Sequence, residues 1–132
     1  GATYHENIQS LFSICDILSI NCPVTKETKN IINKKTLKFF SEEVIITNSA
    51  RGDMIDDDAM VEALKNKRIF ALGLDVYNGE PNIHPGYLKY PNVFILPHLG
   101  SATKKTRIAM ADLAINNIEE YFKTGICKNM VN

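Results

Sequence analysis

Glu43-Val-Ile-Ile-Thr-Asn-Ser-Ala-Arg-Gly-Asp-Met-Ile-Asp-Asp-Asp58 decides the fold. Glu43 to Asn48 centres on an unbroken apolar run of strand length, the pattern of a strand buried on both faces. The aspartates that close the stretch open a helix predicted to run through Lys67, with Asp56 as its N-cap. Acids fill its first turn, and Lys65, Lys67 and Arg68 gather near its end, so both charge clusters complement the helix dipole. Ile69 to Val76 reads as the next strand. Strand, helix and strand in that order predict parallel strands joined by a crossover.

The pattern continues on both sides. Upstream, Ile8, Leu11, Phe12 and Cys15 recur at helical spacing within Glu6–Cys15. Asp16 to Asn21 reads as a short strand stopped by Pro23. Thr25 to Phe40 is predicted to be mostly helical, with a break near Asn30 to Asn33. Downstream, Asn78 to Asn92 is rich in Pro, Gly, Asn and Tyr and reads as a loop long enough to be functional. Asn92 to Leu96 is another strand. A long helix is predicted from near Ser101 to about Lys123, with Ala111, Ala114, Ile118 and Tyr121 in its apolar stripe and Gly125 as its stop. The fold class is therefore α/β with a parallel sheet, and no internal repeat interrupts it.

Composition narrows the function classes. The chain has 132 residues, 15 basic and 15 acidic, so its formal net charge is zero. The lysines are scattered among acids, which argues against a nucleic-acid stripe. No apolar run approaches the roughly 18 residues of a spanning helix, so no membrane partner is expected. Three cysteines (Cys15, Cys22 and Cys127) without a C-x-x-C spacing fit reduced thiols in a cytoplasm rather than a disulfide framework or a zinc site. Read alone, Cys22 before Pro23 is a small hydrophobe. No metal site is expected.

Three side chains stand just past strand-like runs: Arg51, Glu80 and His98. Ligands of open α/β sheets bind beyond the carboxyl ends of the strands. Singly, each has a plainer reading: a solvated loop arginine, a turn glutamate and a structural histidine. Together they make a chemical set. Arginine offers a rigid fork of donors to a carboxylate. A carboxylate beside an imidazole favours the imidazolium, which can give a proton to a carbonyl oxygen. Asp75, at the end of its strand, is suited to accept a hydrogen bond from a carboxamide. Gly100 to Thr103 reads as a close backbone approach followed by a helix N-terminus. His5 and His84 have no comparable support. A dinucleotide site also needs a G-x-G-x-x-G turn to approach the pyrophosphate, and the sequence has none.

Asn48-Ser-Ala-Arg-Gly-Asp-Met-Ile-Asp-Asp-Asp-Ala59, Ala71-Leu-Gly-Leu-Asp-Val-Tyr-Asn-Gly-Glu-Pro81 and Asn92-Val-Phe-Ile-Leu-Pro-His-Leu-Gly-Ser-Ala-Thr103 resemble, in order, the signatures of the D-isomer-specific 2-hydroxyacid dehydrogenases. Asn21 to Thr28 is similar to that family's segment beside the cofactor. Asn82 to Tyr87 and the opening Gly-Ala-Thr-Tyr-His5 lean toward the glyoxylate/hydroxypyruvate reductase branch. The resemblance implies a partial Rossmann-type doubly wound sheet, the second half of a dinucleotide-binding domain. It implies Arg51 as the substrate-binding arginine, His98 as the general acid/base and Glu80 as its partner. It places Cys22, Pro23, Thr28, Ser49, Ala50, Arg51, Asp75, His98 and Gly100 near an NAD or NADP cofactor.

The reaction implied is reversible hydride transfer between NAD(P)H and a small 2-keto acid, giving a D-2-hydroxy acid. A homodimer is the implied assembly. The resemblance also implies that residues 1–124 belong to the cofactor domain and 125–132 return toward a substrate domain outside this sequence. Asp16 to Asn21 would then stand at an uncovered sheet edge. Two alternatives remain at this point. One is a non-catalytic α/β binding or dimerisation module derived from the fold. The other is an L-specific dehydrogenase of the lactate/malate type, which also uses His and Arg but lacks this motif order.

Overall fold

The computed structural model describes residues 1–131, and Asn132, the last residue of the 125–132 tail, lies outside the described residues. It divides into two units, residues 1–97 and residues 98–132. The first unit holds α1 (Ile8–Phe12), β1 (Ile17–Ile20), β2 (Val44–Asn48), α2 (Asp57–Lys65), β3 (Ile69–Leu74) and β4 (Val93–Ile95). The second holds α3 (Lys104–Thr124).

The four strands form one sheet in the order β1-β2-β3-β4, all parallel. Strand order follows chain order without reversal, so the sheet is one wing of a doubly wound architecture, with β1 at its margin. Across the sheet, Ile46 pairs with Leu18 and Leu72, and Leu72 with Val93. A register shift between Val44 and Ile45 leaves Phe70 out of the pairing with β2, and its side chain is exposed.

The core lies on one face of this sheet. Leu18, Ile20, Val44, Ile46, Leu72 and Leu74 point into it and form one buried cluster with Ala59, Met60, Ala63 and Leu64 of α2. Phe12 from α1 stacks on Phe40 with ring centroids 4.3 Å apart. The opposite face carries Ile17, Ile45, Thr47 and Phe94, which are exposed or half-buried. β2 is therefore fully buried on one face only, because within the first unit α2 and the segment before β2 pack on the same side.

The helix expected over Thr25–Phe40 does not form. Asn30 takes a left-handed φ of 51°, Ile32 makes a parallel bridge to Ile55, and Thr36–Phe39 is a short 3-10 turn. Local polar side chains outcompete the helix ladder here. The Asn33 Oδ1 accepts from the Lys35 and Thr36 amides, and the Thr36 hydroxyl donates to the Ile31 carbonyl. The helix after Asp56 forms as expected: Asp56 Oδ1 accepts from the Ala59 amide at 3.1 Å. In the second unit, Thr103 caps α3 through the Thr106 amide, and Gly125 ends it at φ 72°. No residue of α3 is buried: the expected stripe of Ala111, Ala114, Ile118 and Tyr121 is exposed, as are Ile108, Ile115 and Phe122. Among the described residues, no helix is long and apolar enough to cross a membrane.

Candidate functional site

Parallel register delivers the loops after β2, β3 and β4 to one edge of the sheet. Asn48 lies opposite Leu74, and Leu74 opposite Ile95. The ladder continues into the loops, with the Asp75 amide donating to the Asn48 carbonyl at 3.0 Å and the Leu96 amide to the Leu74 carbonyl at 2.8 Å. Asp75 is thus held by its backbone directly after β3.

The Arg51 turn is shaped by a residue that the sequence left unnoticed. Asn48 is 1% exposed, and its side chain bonds within its own loop. Its Oδ1 accepts from the Ala50 amide at 3.0 Å, and its Nδ2 donates to the Arg51 carbonyl at 2.8 Å. A buried amide with both ends satisfied fixes the backbone from 48 to 51. Arg51 itself is exposed, and its Nη1 donates to the Ala50 carbonyl at 2.6 Å. Among the described residues Arg51 has no ion-pair partner, so its fork of donors remains available to an anion.

Beside this turn is an open cleft of about 730 Å³. Cys22, Pro23, Ser49, Ala50 and Arg51 line it, five of the residues expected near the cofactor. Ser49 donates to Asn21 Oδ1 at 3.2 Å, joining the turns after β1 and β2. Thr28 is not in the lining; its hydroxyl donates to the Pro23 carbonyl at 2.8 Å and folds the 23–28 turn. Lys29 and Asp53 also line the cleft and pair at 3.8 Å. Both are exposed, so the pair adds little stability. The cleft suits one end of a nucleotide: Pro23, Val24 and Ala50 give an apolar wall, and Asn21, Ser49 and Arg51 give polar groups. The glycine turn that would cradle a dinucleotide's pyrophosphate is not in the sequence.

The loop with Glu80 comes close to the Arg51 turn through Gly52. A Cβ placed on Gly52 would sit 2.2 Å from the Tyr77 carbonyl carbon and 2.5 Å from the Asn78 nitrogen. The Tyr77 amide in turn donates to Glu80 Oε1 at 3.1 Å. Gly52 is needed for close approach of two backbones, which a lone Arg-Gly pair in sequence did not reveal. Gly52→Ala is expected to destabilise the fold by about 3 kcal/mol, because backbone on both sides must move. Urea unfolding measures this; a loss under ~0.5 kcal/mol, the usual range for surface changes, would show that the two loops separate freely.

The far end of the Glu80 loop is also tied down. The Tyr87 hydroxyl donates to Asp57 Oδ1 at 2.7 Å, and Asn78 Nδ2 donates to Asp57 Oδ2 at 3.1 Å. Burial, and then the hydrogen bond to Asp57 with its charge, push the Tyr87 phenol far above its ordinary range, so it stays a donor. His84 lies against α2, with Nε2 3.4 Å from Asp58 Oδ1 and Nδ1 accepting from the Gly86 amide.

His98 and Gly100 belong to the second unit. His98 follows Pro97, just after β4, and its φ is 55°, a left-handed conformation uncommon for residues other than glycine. The Ala102 amide donates to the Leu99 carbonyl at 2.9 Å, closing a turn around Gly100 immediately before the Thr103 cap.

Known proteins resemble this chain in sequence and in fold. Residues 1–100 match the family described as D-isomer specific 2-hydroxyacid dehydrogenase, NAD binding domain. The chain is 42% identical to glycerate dehydrogenase of Hyphomicrobium methylovorum over 92% of its own length and 38% of that protein's. It is 38% identical to glyoxylate reductase of Thermococcus litoralis over its full length, which is 40% of that protein. Among solved structures, a NADPH-dependent glyoxylate/hydroxypyruvate reductase from Sinorhizobium meliloti, in complex with NADP and malonate, superposes with a TM-score of 0.91 at 37% identity. That match covers 97% of this chain and 40% of the other. The chain thus spans about two fifths of the length of the relatives it matches. Its motifs, its sheet and these likenesses agree that it belongs to the D-isomer-specific 2-hydroxyacid dehydrogenases, within their NAD-binding domain.

Proposed function

We propose that the complete enzyme reduces a small 2-keto acid of the glyoxylate/hydroxypyruvate type to a D-2-hydroxy acid, with NADH or NADPH as hydride donor. The observation that carries this reading is the Arg51 turn: a guanidinium with no ion-pair partner among the described residues, on a backbone fixed by Asn48, at the mouth of a nucleotide-sized cleft. Arg51 would hold the substrate carboxylate and align its carbonyl, lowering the entropic cost of reaction. His98 is the general acid for the carbonyl oxygen, and the base in the reverse direction. Glu80 is the carboxylate that favours the charged imidazole. The nicotinamide supplies or accepts the hydride. Cys22, Pro23, Thr28, Ser49, Ala50, Asp75 and Gly100 are assigned to its surroundings, partly through backbone.

Several relatives support the substrate class. Glyoxylate reductase of Thermococcus litoralis and glyoxylate/hydroxypyruvate reductase B of Enterobacter agglomerans are 38% identical to this chain. Residues 1–124 are assigned to the cofactor domain and 125–132 to a return toward a substrate domain. A homodimer agrees with the exposed apolar stripe of α3, and a cytoplasmic setting with the free thiols of Cys15, Cys22 and Cys127.

The test is oxidation of NADH and NADPH by the complete enzyme, followed at 340 nm, with glyoxylate, hydroxypyruvate and pyruvate in parallel. Turnover of at least one 2-keto acid, with a D-configured product, is expected. No turnover with either cofactor would leave the chain as a non-catalytic member of its family.

A further inference from the structure

We propose that Asp57 is a positioning residue, a clamp that holds the loop bearing Glu80 in one place. This rests on the function proposed above and adds to it residues other than Arg51, Glu80 and His98.

The three aspartates at the start of α2 have three different jobs. Asp56 caps the helix through the Ala59 amide. Asp58 faces His84, at 3.4 Å. Asp57 does neither. Its two carboxylate oxygens accept from two places in the same loop, Oδ1 from the Tyr87 hydroxyl at 2.7 Å and Oδ2 from Asn78 Nδ2 at 3.1 Å. The second Asn78 bond, to the Ile55 carbonyl at 3.0 Å, anchors the same end of the loop to the backbone before α2.

Asn78 and Tyr87 bracket Glu80. The Tyr87 ring is buried, with 1% of its surface exposed, so its hydroxyl is delivered to Asp57 from a fixed body. Gly86 allows the loop to lie against α2, since a Cβ there would stand 2.8 Å from Val61 Cγ2. Pinning both ends of a loop to one carboxylate removes most of its freedom. Glu80 is the side chain that profits. Its Oε1 takes the Tyr77 amide, one residue before Asn78, at 3.1 Å. A group that tunes a catalytic imidazole must be held to about 0.5 Å, and its supporting bonds decide whether it is.

The probe is Tyr87→Phe in the complete enzyme, which keeps the buried ring and removes only the hydroxyl. Two readouts are expected to move at 25 °C. Hydrogen exchange at the Tyr77 amide, which reports on its bond to Glu80, should quicken about tenfold. The kcat should fall about fivefold while KM for the keto acid stays within twofold, because Glu80 acts on the imidazole and not on substrate binding. Asp57→Asn should do the same, and the double variant should be no worse than the single ones, as for one device.

A lower melting temperature with unchanged Tyr77 exchange and unchanged kcat would mark Tyr87 and Asp57 as structural only and overturn the clamp. So would additive losses in the double variant. An unmodified enzyme without reductase activity would refute the function proposed above, and the amide readout would then decide the clamp alone.

Discussion

In the complete enzyme, His98→Asn is expected to lower kcat for keto-acid reduction by about 10²- to 10⁴-fold, the usual worth of a positioned general acid. KM should change by less than about threefold, because the proton moves only as the carbonyl oxygen gains charge. Asparagine is the right replacement for a backbone reason. His98 sits at φ 55°, in the left-handed region. Asparagine enters that region readily, whereas alanine would add roughly 1–2 kcal/mol of strain. A rate lost in His98→Asn is therefore a loss of chemistry. Oxidation of the hydroxy acid should fall by the same factor, since in the proposed reaction the imidazole is the base in that direction. Steady-state rates in both directions decide the matter, and a kcat within a few fold of the unmodified enzyme would remove His98 from the proton path.

How much of this was legible depended on whether the cause lay nearby in sequence. β2, α2 and β3 were readable because their signals are local: an apolar run, a capping aspartate and charges matched to the helix ends. α3 was readable from its stripe, its threonine-containing start and Gly125. The segment from Thr25 to Phe40 misled because its apolar spacing resembles a helix while its Thr and Asn side chains close local turns instead. The bridge from Ile32 to Ile55 then fixes that irregular path, and nothing in either short stretch announces it.

The same distinction divides the proposed site. Arg51, Glu80 and His98, the charged groups proposed for it, stand out in sequence because each follows a strand, in motif order. Asn48, Gly52 and Asp57 do not, because each works through geometry. Asn48 folds its own loop, a role hinted at only by a polar residue ending an apolar strand. Gly52 serves a contact with Tyr77, and Asp57 serves Tyr87, both distant in the chain. Asp57 gave no signal of its own, because an acid in the first turn of a helix is already accounted for by the helix dipole.

Arg51→Ala is the second large effect. The kcat/KM for the keto acid should fall by about 10²- to 10³-fold, equivalent to about 3–4 kcal/mol of transition-state stabilisation, as expected for a charge-assisted bidentate contact in a cleft. Most of the loss should appear as a higher KM, because a guanidinium that holds a carboxylate does so in the ground state as well. A smaller part should appear in kcat, through a carbonyl no longer aligned for attack. Stability should change by less than ~0.5 kcal/mol, since the Arg51 side chain is exposed and bonds only to the neighbouring Ala50 carbonyl among the described residues. The turn beneath it is built by Asn48 and survives the truncation. Arg51→Lys separates charge from shape: lysine keeps the cation but loses the planar fork, and about tenfold of the loss should remain. Kinetics of both variants against a keto acid and its amide complete the argument. If Arg51 holds a carboxylate, Arg51→Ala loses the preference for the acid over the amide while Arg51→Lys keeps part of it, and an unmodified preference in Arg51→Ala would place the substrate elsewhere.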